Sequence, residues 1–220
     1  MSDSEFGPFD GIASDYDGWY DAPEGAKVLA EELECLRLII PEIRGCWLEI
    51  GVGTGRFASI LGISHGLDPS PAMLAIAASR GIRTHVGVAE DLPFADRSLD
   101  GVLMVATLCF VTNPSRALSE CARVLRTGGT LLIGHIPSDG WWGREYTRKA
   151  GEEHPVYSHA RFVTVDELVS TTAAAGFRLE DAASALFWTP GSVPAKFPRL
   201  EHRLVPGAGF VALKLRSPIP

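Results

Sequence analysis

Residues 46–55 combine an apolar run, an acid and three glycines. The run CWLEI contains Glu49, and Gly51, Gly53 and Gly55 follow it at alternate positions. Because glycine has no Cβ atom, this spacing allows a sharp turn and lets a ligand approach the backbone closely. The apolar run indicates a buried strand, so the glycines predict a ligand-binding turn at the carboxyl end of that strand.

Three cofactor classes bind glycine-rich turns of this kind: nicotinamide dinucleotides, nucleoside triphosphates and S-adenosylmethionine. A phosphate-binding loop needs Gly-Lys followed by Ser or Thr, and this sequence has no such tripeptide. The dinucleotide fingerprint has its third glycine at the position of Arg56 in this chain. A turn that merely redirects the chain is the structural alternative.

Two acidic segments follow the ends of later strands. Asp68 comes close to the roughly 20-residue spacing at which an acid after the second strand reaches ribose hydroxyls. In the segment 89–92, backbone amides and Glu90 can contact the edge of a base, while Leu92 covers its face. Taken alone, Asp68 is a turn acid that caps the next helix, and 89–92 is an acidic surface loop. Together, the three signals favour a cofactor that contains a nucleoside.

The elements that position these residues alternate along the chain. Strands are predicted at 46–50, 64–68, 83–88, 99–108, 130–136, 178–188 and 209–216, and helices at 23–40, from about Gly55, at 70–81, 114–129 and 164–176. Ser70 is an N-cap before Pro71, and Thr164 with Glu167 forms a capping box. Residues 137–163 are predicted to be irregular. This alternation predicts a doubly wound, mostly parallel α/β sheet.

Composition limits the other function classes. The 220 residues are 46% hydrophobic and 21% charged, and the formal net charge of −7 disfavours nucleic acid as a partner. No apolar run reaches the roughly 20 residues of a membrane-spanning helix, and the acidic start does not resemble a signal peptide, so we expect a cytoplasmic protein. The four cysteines and six histidines lack metal-ligand spacing, so we expect no metal. The oligomeric state stays unknown.

The segments LEIGVGTGRFA, GLDPSPAML, GVAEDLPFADRSLDGVLMV and NPSRALSECARVLRTGGTLLI together resemble class I S-adenosylmethionine-dependent methyltransferases. The similar group is the small-molecule branch with the type 11 methyltransferase domain, which includes quinone-biosynthesis enzymes. The resemblance covers about residues 9–136. It implies a Rossmann-like three-layer sandwich with an antiparallel last strand. It also implies S-adenosyl-L-methionine as cofactor, S-adenosyl-L-homocysteine as product, and a small-molecule acceptor methylated at an O, N, S or C atom.

The resemblance also implies roles for individual residues. Around the methionine part of the cofactor it places Glu49, Gly51, Gly53 and Gly55. Asp68 contacts the ribose, and the adenine lies against Met73, Ala89, Glu90 and Leu92. Val105 and Ala106 form the floor below the methyl group, and Tyr16 belongs to a segment that folds over the cofactor. Many relatives have histidines at the positions of Cys109 and Phe110, so a role for those histidines does not transfer.

Methyl transfer from a sulfonium is an in-line displacement that depends chiefly on alignment, and a base matters only for a protonated acceptor. His135, at the end of the fifth strand, is the candidate catalytic base; His159, Tyr146 and Glu145 are alternatives. The predicted substrate pocket comprises Trp19, Tyr20, Cys109, Phe110, Trp141, Trp142 and Tyr146. The two adjacent tryptophans either wall an aromatic or cationic acceptor or anchor a lid to the core. The segment SDYDGWYD is a lid or a fixed part of the core.

We therefore expect a single domain over residues 1–220. Its parts are an N-terminal lid with helices (1–45), a cofactor-binding core (46–136), a substrate-side insert (137–163), and a C-terminal helix with strands (164–220). Two alternatives to the enzyme remain at this point. One is a non-catalytic S-adenosylmethionine-binding regulatory protein. The other is a nicotinamide-dependent oxidoreductase, for which the residues after the core leave little room for a catalytic domain.

Overall fold

A computed structural model describes residues 8–152, 154–194 and 199–218. Within these residues, seven strands form one sheet in the order β3-β2-β1-β4-β5-β7-β6. The strands are β1 Trp47–Ile50, β2 His65–Asp68, β3 Arg83–Val86, β4 Leu99–Val105, β5 Leu125–His135, β6 Arg178–Ala185 and β7 Phe210–Arg216. The first five are parallel, whereas β7 pairs antiparallel with both β5 and β6. The predicted doubly wound sheet with an antiparallel last strand is confirmed.

Helices cover both faces of the sheet. They are α1 Ala13–Trp19, α2 Pro23–Ile39, α3 Arg56–Leu61, α4 Pro71–Ser79, α5 Pro114–Val124, α6 Trp141–Gly151 and α7 Val165–Ala174. On one face, α2 packs on β6 and β7 through residues such as Val28, Leu33 and Leu36. On the other, Leu118 of α5 and Leu168 of α7 share a second core. The sheet and the helices on its two faces make three layers, and one apolar core fills each side of the sheet.

Local sequence signals explain the helix ends. The side chain of Ser70 accepts a hydrogen bond from the Met73 amide and caps α4, which begins at Pro71. Thr164 and Glu167 form the predicted capping box of α7. Both N-cap predictions are confirmed, and the Ser70 cap begins the helix that follows β2.

Two secondary-structure predictions were wrong. The helix predicted over 114–129 ends at Val124, and Leu125 is already in β5, because its backbone pairs with Leu99 of β4. The segment 137–163, predicted to be irregular, contains α6, whose Trp142 and Tyr146 lie one turn apart and pack into the core. In both places a tertiary partner selected the backbone conformation.

Parts of the predicted domain lie outside the described residues: 1–7 of the N-terminal part, 153 of the insert, and 195–198 and 219–220 of the C-terminal part. Among the helices of the described ranges, none is both long and apolar enough to cross a membrane. In the same ranges no three His, Cys, Asp or Glu side chains converge as a metal-binding group.

Candidate functional site

The glycine turn lies between β1 and α3, at the carboxyl edge of the sheet. Gly51 has a φ of 67°, and a Cβ atom there would lie 2.3 Å from the side chain of Thr107. Gly55, the N-cap of α3, has a φ of 81° and would bring a Cβ atom within 3.1 Å of Ala77. Both positions therefore require glycine for conformation and for space. The backbone at Gly53 faces the ring of Tyr16.

Asp68 ends β2 and ties this turn to the next helix. Its Oδ2 accepts a hydrogen bond from the Gly53 amide, and its Oδ1 accepts one from the Ser70 amide, both at 2.9 Å. Burial raises the pKa of Asp68, and these two hydrogen bonds oppose that shift. Each carboxylate oxygen accepts more than one hydrogen bond, so Asp68 retains capacity for ligand hydroxyls.

Glu49 lies beneath the turn with an unsatisfied carboxylate. Its side chain is 1% exposed, and among the described residues its Oε2 has no hydrogen-bond partner. Burial raises its pKa well above the ordinary value. A buried carboxylate oxygen without a partner is costly, so it is matched by a ligand that supplies N–H groups or positive charge. The amino group of a methionine moiety has this chemistry.

The segment 89–92 follows β3, and its apolar side chains are buried. Ala89 and Leu92 belong to the same buried core as Leu67. Met73, in the helix α4 that follows β2, is also buried. The carboxylate of Glu90, however, accepts a hydrogen bond from the Asn113 amide at 2.9 Å. That contact uses Glu90 to position the start of α5, a role that the sequence did not indicate.

The loop after β4 forms the floor of the cavity. Ala106 has a φ of 48°, an uncommon conformation for a residue with a Cβ atom, and its amide donates to the Gly134 carbonyl. Cys109 follows in a 3₁₀ turn, and its thiol donates to the Ala106 carbonyl. Burial raises the pKa of Cys109 to about 12, so the thiol stays protonated and unreactive at neutral pH.

The N-terminal segment closes the cavity from above. Tyr16 and Tyr20 line it together with Glu49, Gly51, Gly53, Val105 and Ala106. Their hydroxyl oxygens are 3.1 Å apart, and the ring of Trp19 packs edge-on against Tyr20. Phe9 bridges the segment to the floor by edge-on contacts with Tyr16 and Phe110.

Ion pairs hold this segment in place. Asp17 of α1 accepts hydrogen bonds from Arg56 and Arg80, both at 2.8 Å. Burial alone would raise the pKa of Asp17, but these hydrogen bonds outweigh it and lower the pKa. Arg56, at the position where a dinucleotide site has its third glycine, therefore anchors α1 to the glycine turn. Asp10 similarly accepts hydrogen bonds from Ser70 and Ala72 at the start of α4.

The structure separates the residues of the predicted acceptor pocket. Trp141 is 55% exposed and lies under the guanidinium of Arg144, so it does not wall the cavity. Trp142 is buried, and its Nε1 donates to the Trp188 carbonyl, which makes it an anchor of α6. Tyr146 is buried one turn later and stacks on Tyr157 at 4.4 Å. Of the two uses considered for these tryptophans, walling an acceptor or anchoring to the core, the position of Trp142 fits an anchor, and Trp141 lies about 100° away around α6 on its exposed side.

His135 ends β5 with an almost fully buried ring. Its Nε2 donates to the Val163 carbonyl at 2.9 Å, and burial lowers its pKa. The nitrogen that makes this bond has no lone pair with which to accept a proton. The structure does not support the alternatives His159 and Glu145 as a base either. His159 is exposed, and Glu145 forms ion pairs with Arg148 and Lys149.

Several residues of the site were not anticipated from the sequence. Glu32 of α2 is buried, and Tyr157 stacks on Tyr146. Arg80 and Asp17 anchor the N-terminal segment. In the predicted helix, the acidic type of Glu32 indicates an exposed position. Only the apolar residues at helical spacing around it could have indicated that it is buried.

Comparison with known proteins agrees with this geometry. Residues 48–133 match the methyltransferase domain family. A solved structure from Thermotoga maritima, described as a SAM-dependent methyltransferase and possible histamine N-methyltransferase, is 34% identical, with a TM-score of 0.86 over 96% of this chain and 98% of that chain. An uncharacterized protein of Mycobacterium tuberculosis is 42% identical over 91% of this chain and 70% of that relative. The ubiquinone/menaquinone biosynthesis C-methyltransferase of Rubrivivax gelatinosus is 28% identical over 63% of this chain and 58% of that enzyme.

Proposed function

The chain belongs to the S-adenosylmethionine-dependent methyltransferases, and from this premise we propose that it methylates a small-molecule acceptor. The observation that carries the proposal is the cavity at the carboxyl ends of β1 and β4, closed by Tyr16 and Tyr20. The aromatic cover over the glycine turn narrows the site. Such a site admits a compact acceptor and excludes water during transfer.

We infer how this chain holds its cofactor. The Glu49 Oε2, which has no partner among the described residues, accepts a hydrogen bond from the amino group, while the bare backbone at Gly51 and Gly53 allows close approach. Asp68 accepts the ribose hydroxyls. The apolar side chains of Met73, Ala89 and Leu92 contact the adenine. Because Glu90 is already paired with the Asn113 amide, its contribution is a backbone contact.

S-adenosylmethionine supplies an electrophilic methyl group on a sulfonium sulfur with a good leaving group. The protein's part is to align an acceptor with that group, and alignment is worth up to ~7–11 kcal/mol of a barrier in favourable cases. We propose that Ala106 and Phe110 form one side of the acceptor path and that Tyr16 and Tyr20 form the other. His135 supports the floor through its bond to Val163 and is not assigned as the base.

The acceptor atom is tested rather than assigned. The name of the Thermotoga maritima relative suggests N-methylation of an amine, and that of the Rubrivivax gelatinosus relative suggests C-methylation in quinone biosynthesis. Purified protein is incubated with methyl-labelled S-adenosylmethionine and with representative amines, thiols, phenols and quinols. We expect labelled product from at least one class, together with S-adenosylhomocysteine.

The test variant is Asp68→Ala. Its control is Asp91→Ala, because Asp91 is an exposed acid of the 89–92 segment. The first should lose turnover at low cofactor concentration, and the second should keep it. Binding of S-adenosylhomocysteine without transfer to any acceptor class would refute a small-molecule methyltransferase and favour the regulatory alternative.

A further inference from the structure

Two histidines from neighbouring strands meet on one face of the sheet. His65 begins β2, and His85 lies in β3, which stands at one end of the strand order. The Nδ1 atom of His65 lies 3.1 Å from the Nε2 atom of His85. The two rings are stacked, with centroids 5.4 Å apart and 21° between their planes. Two imidazole nitrogens from different elements therefore face each other.

The pairing of β2 with β3 produces this contact. The register places His65 opposite Arg83, and Leu67 opposite His85. Because side chains alternate between the faces of a strand, residues 65 and 67 share a face, and so do 83 and 85. The two histidines are thus diagonal neighbours on the face where Leu67 joins its core. A hydrogen-bonded pair of strands fixes the backbone beneath the two rings.

Phe94 packs against both imidazoles. Its ring meets those of His65 and His85 edge-on, at centroid distances of 6.1 Å and 4.9 Å. Both histidines are partly exposed, and within the described residues β3 has a strand on one side only. A hydrated ion can therefore reach the pair, while Phe94 limits the movement of the rings. The Phe94 amide donates to the Leu92 carbonyl at 2.8 Å, so the pair lies beside the segment 89–92.

Both imidazoles favour the neutral form. Burial lowers the pKa of His85, and burial followed by the charges of His85 and Arg83 lowers that of His65. A neutral imidazole carries one nitrogen lone pair, and it is a good ligand for zinc, copper and nickel ions. The hydrogen bond between the rings uses one N–H group and one lone pair. When the proton of the donor ring sits on its other nitrogen, both facing nitrogens present lone pairs.

The spacing of the two nitrogens suits chelation of one metal ion. With metal–nitrogen bonds of roughly 2.0–2.1 Å, nitrogens 3.1 Å apart subtend an angle of about 95–102° at the ion. That angle lies between the roughly 90° of a tetragonal site and the roughly 109° of a tetrahedral one. Among the described residues no third His, Cys, Asp or Glu completes such a group, so water fills the remaining positions when an ion is bound.

We propose that His65 and His85 form a binding site for one late first-row divalent metal ion, with Cu²⁺ bound more tightly than Ni²⁺ or Zn²⁺. The ion bonds to Nδ1 of His65 and to Nε2 of His85. The proton between the rings moves to the second nitrogen of the donor ring, so both imidazoles stay neutral. Neither histidine is among the residues that line the cavity under Tyr16 and Tyr20, so the site goes beyond the proposed function and does not rest on it.

Calorimetry with Ni²⁺ and electron paramagnetic resonance with Cu²⁺ test the proposal on the full chain in a non-coordinating buffer. Ni²⁺ reports the affinity because it does not oxidise the thiols of the protein. Wild type should bind one Ni²⁺. His65→Gln and His85→Gln should each weaken binding at least about 10-fold, because even the outer-shell partners of metal ligands contribute roughly 10–100-fold. Bound Cu²⁺ should show coupling to two imidazole nitrogens in wild type and to one in each variant.

The matched control is His202→Gln. His202 is an exposed histidine that lies 3.0 Å from Asp181 of β6, at the other end of the strand order. This variant should keep the Ni²⁺ affinity and the two-nitrogen spectrum. S-adenosylhomocysteine binding by each variant reports an intact fold. Ni²⁺ affinity within twofold of wild type in either His65→Gln or His85→Gln overturns the proposal. A wild-type Cu²⁺ spectrum with coupling to fewer than two imidazole nitrogens overturns it independently of the variants.

Discussion

Replacing Glu32 with glutamine should change the pH dependence of stability. Burial and the charge of Glu31 raise the pKa of Glu32 from 4.5 to about 8 in the folded chain. Between these values the folded state binds more protons than the unfolded state, so stability falls as the pH rises. At 1.36 kcal/mol for each pH unit, the free energy of unfolding loses about 3–4 kcal/mol between pH 5 and pH 8. Glutamine does not ionise, so Glu32→Gln escapes this loss.

Urea unfolding of the cofactor-free protein at pH 5, 6, 7 and 8 measures the effect. The free energy of unfolding of Glu32→Gln minus that of wild type should rise by about 3–4 kcal/mol across the series. The control is Glu34→Gln on the exposed face of the same helix, where an ion pair with Arg37 is worth at most ~1 kcal/mol. Its difference from wild type should stay nearly constant. A flat difference for Glu32→Gln would mean that the folded protein stabilises the ionised acid, which refutes the reasoning from burial.

Three further predictions concern the cofactor site, the closing segment and the strand end. Asp68→Ala should weaken S-adenosylhomocysteine binding about 10- to 100-fold in calorimetry, because the Gly53 amide also loses its acceptor, whereas Asp91→Ala should not; equal affinities would argue against the ribose role. Asp17→Asn should speed chymotryptic cleavage within α1 several-fold because it weakens the ion pairs with Arg56 and Arg80, and Asp15→Asn is the exposed control. Cofactor should slow the cleavage of wild type. Cleavage rates that change neither with Asp17→Asn nor with cofactor would indicate a fixed core element. His135→Gln should keep turnover within about threefold while lowering stability by about 1–2 kcal/mol; a hundredfold loss of turnover in a folded variant would restore the base assignment.

The parallel sheet and its order of elements were predictable, because strand and helix periodicity are local properties. The caps at Ser70 and Thr164 were also readable, since each needs only a side chain and an amide three residues later. The end of α5 was not readable. The residues that follow it, Leu125 onward, are compatible with a helix until β4 offers a hydrogen-bonded edge.

The tryptophans show a similar limit. A pair of adjacent aromatic residues predicts one buried face at most, since neighbours on a helix point about 100° apart. The sequence did not show which of Trp141 and Trp142 enters the core. Contacts with Trp188, distant along the chain, selected Trp142.

The sequence by itself determined the glycine turn and the helix caps, because turn conformation, capping and hydrophobic periodicity depend on residues close together along the chain. The family and the cofactor class followed from the resemblance of four segments to class I methyltransferases. Only the tertiary structure decided which residues line the cavity at the carboxyl edge of the sheet. Asp17 meets Arg80 from another layer. The burial of Glu32 depends on how the layers pack. A change in dielectric and charge environment of that kind leaves no local pattern in the sequence.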